Sequence, residues 1–593
     1  MPRIAVVDRN KCNPLACGNY LCIRVCPVNK MGEECIVEGE YKKAKIIDEL
    51  CNGCGICPKK CPFGAIQIIN IPEKLATNPM HRYGQNMFEL FSLPIVKPKT
   101  IVGIIGRNGI GKSTALQILT GKIEPNLGRY KDPPLMQEII LNYSTQWLGG
   151  YLKGLLMKEM KVSYKPQRVE FLAELYKGQK VKELLEKVDE RKVIPELMKE
   201  LDLTDLQERT IDELSGGELQ RLAIAAACAK KASVYYFDEP TSFCDITHRI
   251  KVAKLIRSLA EKEGVSVIVV EHDLATLDYI SDEIQIVFGE PGAYGIFSQS
   301  KAVRRGINEY LDGYLPDDNM RFREYPIKFS AAPEDKIVSK QILVEYPELK
   351  KEFESFKLNV DAGQVHRGEV LAVMGSNGLG KSTMMKMLAG LIKPDNVDIE
   401  KIAIAFKPQY LEQNMEGTVG DYLRKIAGSE FSSGWYKTNI LEKLNIRSIL
   451  NNQIKHLSGG ELQKMHIAAT LSTPDIILVA MDEPSAFIDV EDRLKVAEVI
   501  KEFISKKEIC AIVVDHDIQF IDYLADSMLV FEGNPGKEGF VLSPLSKRAG
   551  MNKVLKNLDI TYRRDKENGR PRINKPGSQL DQEQRRKGEY YYS

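Results

Sequence analysis

No stretch of this 593-residue chain approaches the roughly 18 consecutive apolar residues that read as a membrane-spanning helix. Met1-Pro2-Arg3-Ile4 is soon followed by cysteines rather than by an apolar segment, so no secretory signal is expected. Net charge is scarce as well. Lys and Arg number 83 against 81 Asp and Glu, leaving +2, so any nucleic-acid contact must come from local patches rather than a global basic field. These absences predict a soluble, cytoplasmic protein; a transport role would need a separate membrane subunit. Cysteine is nearly missing after residue 61, where only Cys228, Cys244 and Cys510 remain. The other nine crowd between Cys12 and Cys61. So dense and odd-numbered a cluster, without a secretion signal, points to metal binding rather than disulfides.

What the chain does have is a repeat. Gly106-Arg107-Asn108-Gly109-Ile110-Gly111-Lys112-Ser113-Thr114 recurs as Gly375-Ser376-Asn377-Gly378-Leu379-Gly380-Lys381-Ser382-Thr383. Lys165-Pro166-Gln167 recurs as Lys407-Pro408-Gln409, and Leu214-Ser215-Gly216-Gly217-Glu218 as Leu457-Ser458-Gly459-Gly460-Glu461. Asp238-Glu239-Pro240 answers Asp482-Glu483-Pro484, and Glu271-His272-Asp273 answers Asp515-His516-Asp517. Gln167 and Gln409 lie 242 apart and Glu239 and Glu483 244 apart, but Lys112 and Lys381 are separated by 269. The first copy therefore carries an insertion, placed at 136–161. Its apolar residues Ile139, Tyr143 and Trp147, then Leu152, Leu155 and Leu156, flank Gly149-Gly150. Spacings of three and four around a glycine break predict a helix–turn–helix hairpin turning at those glycines.

Each glycine loop follows an apolar run and opens a helical pattern, the context of a P-loop. Backbone N–H groups there close around phosphate oxygens. Asn108, Gly109, Gly111 and Thr114, like Asn377, Gly378, Gly380 and Thr383, belong to this ATP cradle. Lys112 and Lys381 would reach the β- and γ-phosphates, and Ser113 and Ser382, with Gln167 and Gln409, would ligate Mg²⁺. Asp238 and Asp482 would hold the metal through water, while Glu239 and Glu483 polarise the attacking water. His272 and His516 each end a β-branched run and would face the γ-phosphate. Tyr83 and Phe356 are candidates to stack on adenine. The copies also differ: Ser242-Phe243-Cys244 against Ala486-Phe487-Ile488, and Arg168 against Tyr410 after the glutamine. Some asymmetry between the sites is expected.

Cys51-x-x-Cys54-x-x-Cys57-x-x-x-Cys61-Pro62 is similar to the bacterial ferredoxin run for a 4Fe–4S cluster. In two-cluster ferredoxins the fourth cysteine of each run serves the other cluster. That assigns Cys12, Cys17, Cys22 and Cys61 to one cluster and Cys26, Cys51, Cys54 and Cys57 to a second, leaving Cys35 over. Zinc fits this spacing less well, since it takes paired C-x-x-C ligands.

The Leu-Ser-Gly-Gly-Glu-Leu-Gln strings resemble the signature of the ABC ATPases. With the cysteine module, the insertion, His81-Arg82-Tyr83-Gly84 and the tail Arg563-Arg564-Asp565 through Gly569-Arg570-Pro571-Arg572-Ile573-Asn574-Lys575-Pro576, the whole chain resembles subfamily E, the RNase L inhibitor group. The fold implied is α/β: two ABC-type P-loop domains in tandem behind an N-terminal α+β ferredoxin-like iron–sulfur domain. Expected boundaries are 1–75 for the iron–sulfur domain, 76–290 and 326–532 for the ATPases, and 291–325 and 533–593 for two connectors. The resemblance implies an ATP hydrolase with two 4Fe–4S clusters, ATP and Mg²⁺. It would be a monomer whose phosphate loops meet Ser458 and Gly460, or Ser215 and Gly217, of the opposite copy across each ATP. It further implies ATP-driven splitting of ribosomes into subunits with a release factor or Pelota-type partner. The insertion and connectors would then contact the small subunit. Basic residues in the connectors (Lys301, Arg304, Arg305, Arg321 and Arg323; Lys547, Arg548, Lys553, Lys556, Arg563, Arg564, Arg570 and Arg572) suit contact with a phosphate backbone. Rival readings are an ATP-gated electron-transfer protein and the ATPase subunit of a transporter. A Rad50-type DNA-repair ATPase fits least, because no long heptad insertion separates phosphate loop and signature.

Overall fold

Proline placement shapes the cysteine module. The helix Leu21–Val25 stops before Cys26-Pro27, because a residue preceding proline is driven to extended backbone. Pro27 then opens the helical turn Pro27–Lys30 from its first position, where its missing N–H costs nothing. Strands Arg3–Val7 and Ile66–Asn70 pair antiparallel and close the module; the hairpin of Ile36–Glu38 with Ala44–Ile46 and the helix Ile56–Lys60 lie between them. Val7, Ile36, Ile46 and Ile66 form its core with Cys12, Cys22, Cys26, Cys35 and Cys57.

The computed structural model describes residues 3–9, 11–70, 78–327, 329, 341–399, 402–409, 411–565 and 569–591. The expected boundary at 75/76 and Tyr410 lie outside them. Two units emerge, Met1–Cys244 with Lys251–Ile327, and Asp245–Ile250 with Lys328–Ser593.

Within the first unit, buried Asn86 fastens the cysteine module to the ATPase. Its amide nitrogen donates to Ala5 O (2.9 Å) and its amide oxygen accepts from Ile46 N–H (2.9 Å). Arg82 joins in, bridging Asp48 of the module (3.0 Å) and Glu89 (2.9 Å). The ATPase sheet has nine strands. Five lie parallel in the order Glu283–Glu290, Ile101–Ile105, Ser266–Val270, Val234–Asp238 and Val162–Lys165. The Ile101, Ser266 and Val234 strands are fully buried, as central parallel strands covered on both faces must be. The sheet continues past residue 290, because Tyr294–Phe297 folds back antiparallel on Glu283–Glu290. The second unit repeats this topology, with Ser527–Asn534, Val370–Met374, Cys510–Val514, Leu478–Asp482 and Ile404–Lys407 in the same order.

The insertion is a helical hairpin, Met136–Asn142 and Trp147–Leu156, but it turns at 143–146 rather than at Gly149-Gly150. Both glycines sit inside the second helix. The reason is close packing: a Cβ on Gly149 would stand 2.3 Å from Tyr143 O, so glycine there lets the second helix abut the end of the first. Ile139, Leu148, Tyr151 and Leu152 face the ATPase core, while Leu141 is 72% exposed.

The connectors also depart from expectation. Much of their basic charge is satisfied inside the fold. Lys301 is buried against Glu309 and Asp317, and Arg305 pairs with the same two carboxylates. Buried Arg323 donates to the carbonyls of Leu311 and Tyr310. In the second connector Lys547 and Arg564 both pair with Asp522, Arg548 with Glu589, Lys553 with Glu532 and Arg572 with Asp565. Arg570 is fully buried. Some of the acidic partners are local, as Glu309 is to Arg305, and others, such as Asp522, lie more than 20 residues away; these side chains hold the connectors' shape before they serve any phosphate.

Gly149→Ala is expected to destabilise the first ATPase by about 1–3 kcal/mol through overpacking. Gly150, whose Cβ position is open, should gain about 0.5–1 kcal/mol as alanine from helix propensity. Urea unfolding followed through Trp147 separates the two, and a Gly149→Ala variant as stable as its parent would contradict the packing account.

Candidate nucleotide sites and thiol cavity

Parallel register brings three strand ends together in each copy. Val270 pairs with Asp238 and with Ile104, so the residues after each strand converge where the phosphate loop turns into its helix Lys112–Leu119. Lys112 Nζ donates to Gly106 O (2.9 Å) and Arg107 O (2.7 Å), and Lys381 Nζ to Gly375 O (2.8 Å) and Ser376 O (2.7 Å). Each loop is thus wrapped around its own ammonium. Ser382 Oγ donates to Asp482 Oδ2 at 2.6 Å, and Ser113 bonds Asp238 in the same way. Burial and the neighbouring Glu239 push the Asp238 carboxyl up to about 6. Among the described residues, Asp238 Oδ1 and Asp482 Oδ1 are buried without a hydrogen-bond partner. An orphaned carboxylate oxygen beside a serine hydroxyl is a fitting donor set for Mg²⁺.

The glutamine, glutamate and histidine candidates lie together in each copy. Gln167 Nε2 donates to Glu239 Oε1 (2.8 Å) and Gln409 Nε2 to Glu483 Oε1 (2.7 Å). His272 Nε2 lies 3.3 Å from Glu239 Oε1 and His516 Nε2 3.6 Å from Glu483 Oε1. Both glutamates sit in the left-handed backbone region, at φ 46° and 49°, a strain typical of functional positions. The sites are not identical. Ser242 Oγ donates to Glu239 Oε2 at 3.1 Å, whereas the second copy has Ala486 there. At Glu239 burial is outweighed by His272, Lys112 and Ser242, which hold the carboxyl down; at Glu483 burial and the charges of Asp482 and Asp515 push it up.

Several supporting residues carried no role in the sequence reading. Lys165 Nζ donates to the carbonyls of Asp238 (2.9 Å) and Glu239 (3.1 Å), and Lys407 Nζ to Asp482 O (2.8 Å). Burial lowers both ammonium groups to about 8. Gln220 and Gln463 donate to Glu239 O (2.7 Å) and Glu483 O (2.6 Å). Glu271 accepts from Thr241 Oγ1 (2.6 Å) and His272 N–H (2.8 Å), and Asp515 accepts from Ser485 Oγ (2.8 Å) and His516 N–H (2.7 Å). Repetition of Lys-Pro-Gln and of the acid before each histidine was the signal that could have found them.

The signature residues cap helices. Ser215 and Ser458 are the N-caps of Gly216–Ala229 and Gly459–Leu471, each in a capping box with Glu218 or Glu461. A Cβ on Gly217 or Gly460 would stand 2.9 Å from the carbonyl of Phe243 or Phe487, so only glycine fits without displacing that loop.

The two adenine candidates do not occupy equivalent positions. Tyr83 is 43% exposed and its hydroxyl lies 3.1 Å from Thr114 Oγ1. Its equivalent is not Phe356 but Phe353: Tyr83 N–H donates to Phe88 O as Phe353 N–H donates to Phe356 O. Phe88 and Phe356 instead pack against Gly111 and Gly380, while Phe353 is 41% exposed. A single sequence offset could not align these hairpins, because Tyr83 and Phe88 are five residues apart but Phe353 and Phe356 three.

In the module, one apolar cavity is lined by Cys12, Cys17, Cys22 and Cys61 together with Pro14, Tyr20, Phe63 and Ile66. Ala44 N–H points at Cys12 Sγ (3.5 Å) and Ala65 N–H at Cys61 Sγ (3.4 Å), as backbone donors do toward cluster sulfurs. Burial pushes the Cys57 thiol up to about 12, with Cys51, Cys54, Cys22 and Cys26 contributing. Cys35 is buried beside Cys26 and Cys51, within hydrogen-bond reach of both thiols. Among the described residues no three His, Cys, Asp or Glu side chains converge as a single metal ion needs. The first set lines a cavity instead.

Phe353→Ala is expected to weaken ATP binding at the second site about tenfold through lost stacking, of the order of 1 kcal/mol, with the fold intact. Phe356→Ala should instead lower stability. Nucleotide titration alongside thermal unfolding checks both, and the reverse pattern would restore Phe356 as the platform.

The ABC transporter family profile matches 94–242 and 358–486, and one described as "Possible Fer4-like domain in RNase L inhibitor, RLI" matches 2–34. An uncharacterized ABC transporter ATP-binding protein of Methanocaldococcus jannaschii is 46% identical over 100% of this chain and 97% of its own length. Translation initiation factor RLI1 of Saccharomyces cerevisiae is 44% identical over 100% and 98%, and ABC transporter E family member 1 of Arabidopsis thaliana 42% over 100% and 99%. Among solved structures, "Model of ribosome-bound archaeal Pelota and ABCE1" matches with TM-score 0.94 and 50% identity over 100% of this chain and 99% of that one. The archaeal recycling factor aABCE1 complexed with ribosomal stalk protein aP1 matches with TM-score 0.81 and 48% identity over 87% and 99%. With motifs, topology and full-length relatives in agreement, the chain belongs to the RNase L inhibitor family, the E family of ABC ATPases.

Proposed function

We propose that this protein is a soluble cytoplasmic ATPase that splits ribosomes into subunits, acting with a release factor or Pelota-type partner on the small subunit. The observation that carries this reading is the end-to-end likeness to ABCE1 in a ribosome-bound assembly with Pelota, including the insertion and cysteine module that a generic ABC ATPase lacks. ATP bound at each phosphate loop would meet the signature serine and glycine of the other copy, so that nucleotide draws the domains together and hydrolysis releases them. Lys112 and Lys381 would leave their loop carbonyls for phosphate oxygens. Glu239 and Glu483 would polarise water, each steadied by its glutamine and histidine. Mg²⁺, held by Ser113 and Asp238 or Ser382 and Asp482, would neutralise charge on the β- and γ-phosphates.

The module would hold two 4Fe–4S clusters, one on Cys12, Cys17, Cys22 and Cys61 and one on Cys26, Cys51, Cys54 and Cys57, with Cys35 outside both sets. Fastened through Asn86 and Arg82, it suits a rigid lever rather than an electron carrier.

The test incubates protein, ATP, release factor and intact ribosomes, then separates particles on a density gradient. Free subunits are expected, and Glu239→Gln with Glu483→Gln should cut ATP turnover by about 10²-fold or more, as loss of a general base does. Intact ribosomes under every nucleotide condition would overturn the proposal. For the clusters, Cys35→Ser should keep about eight irons per chain and Cys51→Ser about four, counted on a two-cluster ferredoxin. Equal loss in both would make Cys35 a ligand.

A further inference from the structure

The insertion meets the first ATPase through one buried hydroxyl. Tyr151, on the inner face of Trp147–Leu156, donates to the carbonyl of Leu119 (2.7 Å), the last residue of the phosphate-loop helix. The same hydroxyl shares a hydrogen bond with the Tyr236 hydroxyl (2.5 Å). Tyr236 lies on the strand Val234–Asp238, two residues before the aspartate proposed for Mg²⁺. Its register partner on the next strand is Tyr164, whose hydroxyl approaches Asp238 Oδ2 at 3.5 Å. Tyr151 therefore touches two parts of the first P-loop site, the helix behind the phosphates and the strand that bears the acids.

The second copy supplies the contrast. It has no insertion, and its corresponding register pair is Phe406 and Ala480. A hydroxyl buried without a partner is costly, so Tyr236 is tolerated in the first copy because Tyr151 is there to meet it. Both hydroxyls at this register are confined to the copy that carries the insertion. Packed cores change between discrete arrangements rather than deforming smoothly, so a shift of the phosphate-loop helix against the strand cannot leave Tyr151 unmoved.

We infer that the Tyr151–Tyr236 pair couples the insertion to nucleotide at the first site alone: ATP bound at Lys112 repositions the insertion, and by reciprocity a load on the insertion alters ATP binding there. This rests on reading the first phosphate loop as an ATP site, but not on the ribosome.

Chance provides a reporter. Trp147 and Trp435 are the sole tryptophans, and Trp147 lies edge-on to Tyr151 with ring centroids 5.8 Å apart. In a full-length Trp435→Phe background, Trp147 emission is titrated with Mg·ATP while bound ATP is counted by equilibrium dialysis. A change in emission is expected in the parent and in Lys381→Ala, and none in Lys112→Ala. Tyr236→Phe, and Tyr151→Phe combined with Tyr236→Phe, keep the rings, strand no buried tyrosine hydroxyl and should keep the fold. Each should shrink the signal about fivefold or more, the lower range of allosteric coupling, with bound ATP unchanged. A full-size signal in both phenylalanine variants would overturn the inference, as would one that follows Lys381. ATP that binds without moving Trp147 in the parent would also overturn it while leaving the nucleotide site standing. No bound ATP at all would overturn both.

Discussion

The register of the parallel strands is the constraint on which the rest depends. Asp238, Val270 and Ile104 stand side by side across three strands, so the glycine loop, the acidic pair and the histidine leave the sheet at one edge. A slip of one residue would turn every one of these side chains to the opposite face. Buried side chains reinforce that edge: Lys165 binds the carbonyls of Asp238 and Glu239, Lys407 that of Asp482, and Gln220 and Gln463 those of Glu239 and Glu483. Each glutamate backbone is thereby held in its strained left-handed form, and the side chain is presented to its glutamine and histidine. The same arrangement serves both copies.

On this shared motor the first copy carries additions. The cysteine module is fixed to it through Asn86 and Arg82, and the insertion is seated on its core through Ile139, Leu148, Tyr151 and Leu152. Smaller differences follow the same division. Ser242 donates to Glu239 where Ala486 cannot, and Tyr164 and Tyr236 stand where the second copy has Phe406 and Ala480. Asymmetry is thus built into hydroxyl groups near the acids and into the acid before each histidine, Glu271 against Asp515.

The motifs were legible because their chemistry is local: a glycine loop, an acidic pair or a ferredoxin run carries its meaning within a few residues. The cavity lined by Cys12, Cys17, Cys22 and Cys61 matches the set that spacing assigned. What could not be read depended on partners distant in sequence. Asp522 gathers Lys547 and Arg564, so a connector that looks like a basic patch is partly an ion-pair network. Phe353 was passed over because its equivalence to Tyr83 lies in a backbone hydrogen bond. Gly149 looked like a turn because glycine marks both turns and close helix contacts.

ATP-driven work on the ribosome is the central claim, and it is tested most directly in real time. Ribosomes carrying one fluorophore on each subunit report separation as loss of energy transfer. On adding this protein, its release-factor partner and Mg·ATP, transfer should fall for the unaltered chain and persist when Lys112 and Lys381 are both replaced by alanine. Equal loss of transfer with and without those lysines would contradict the account.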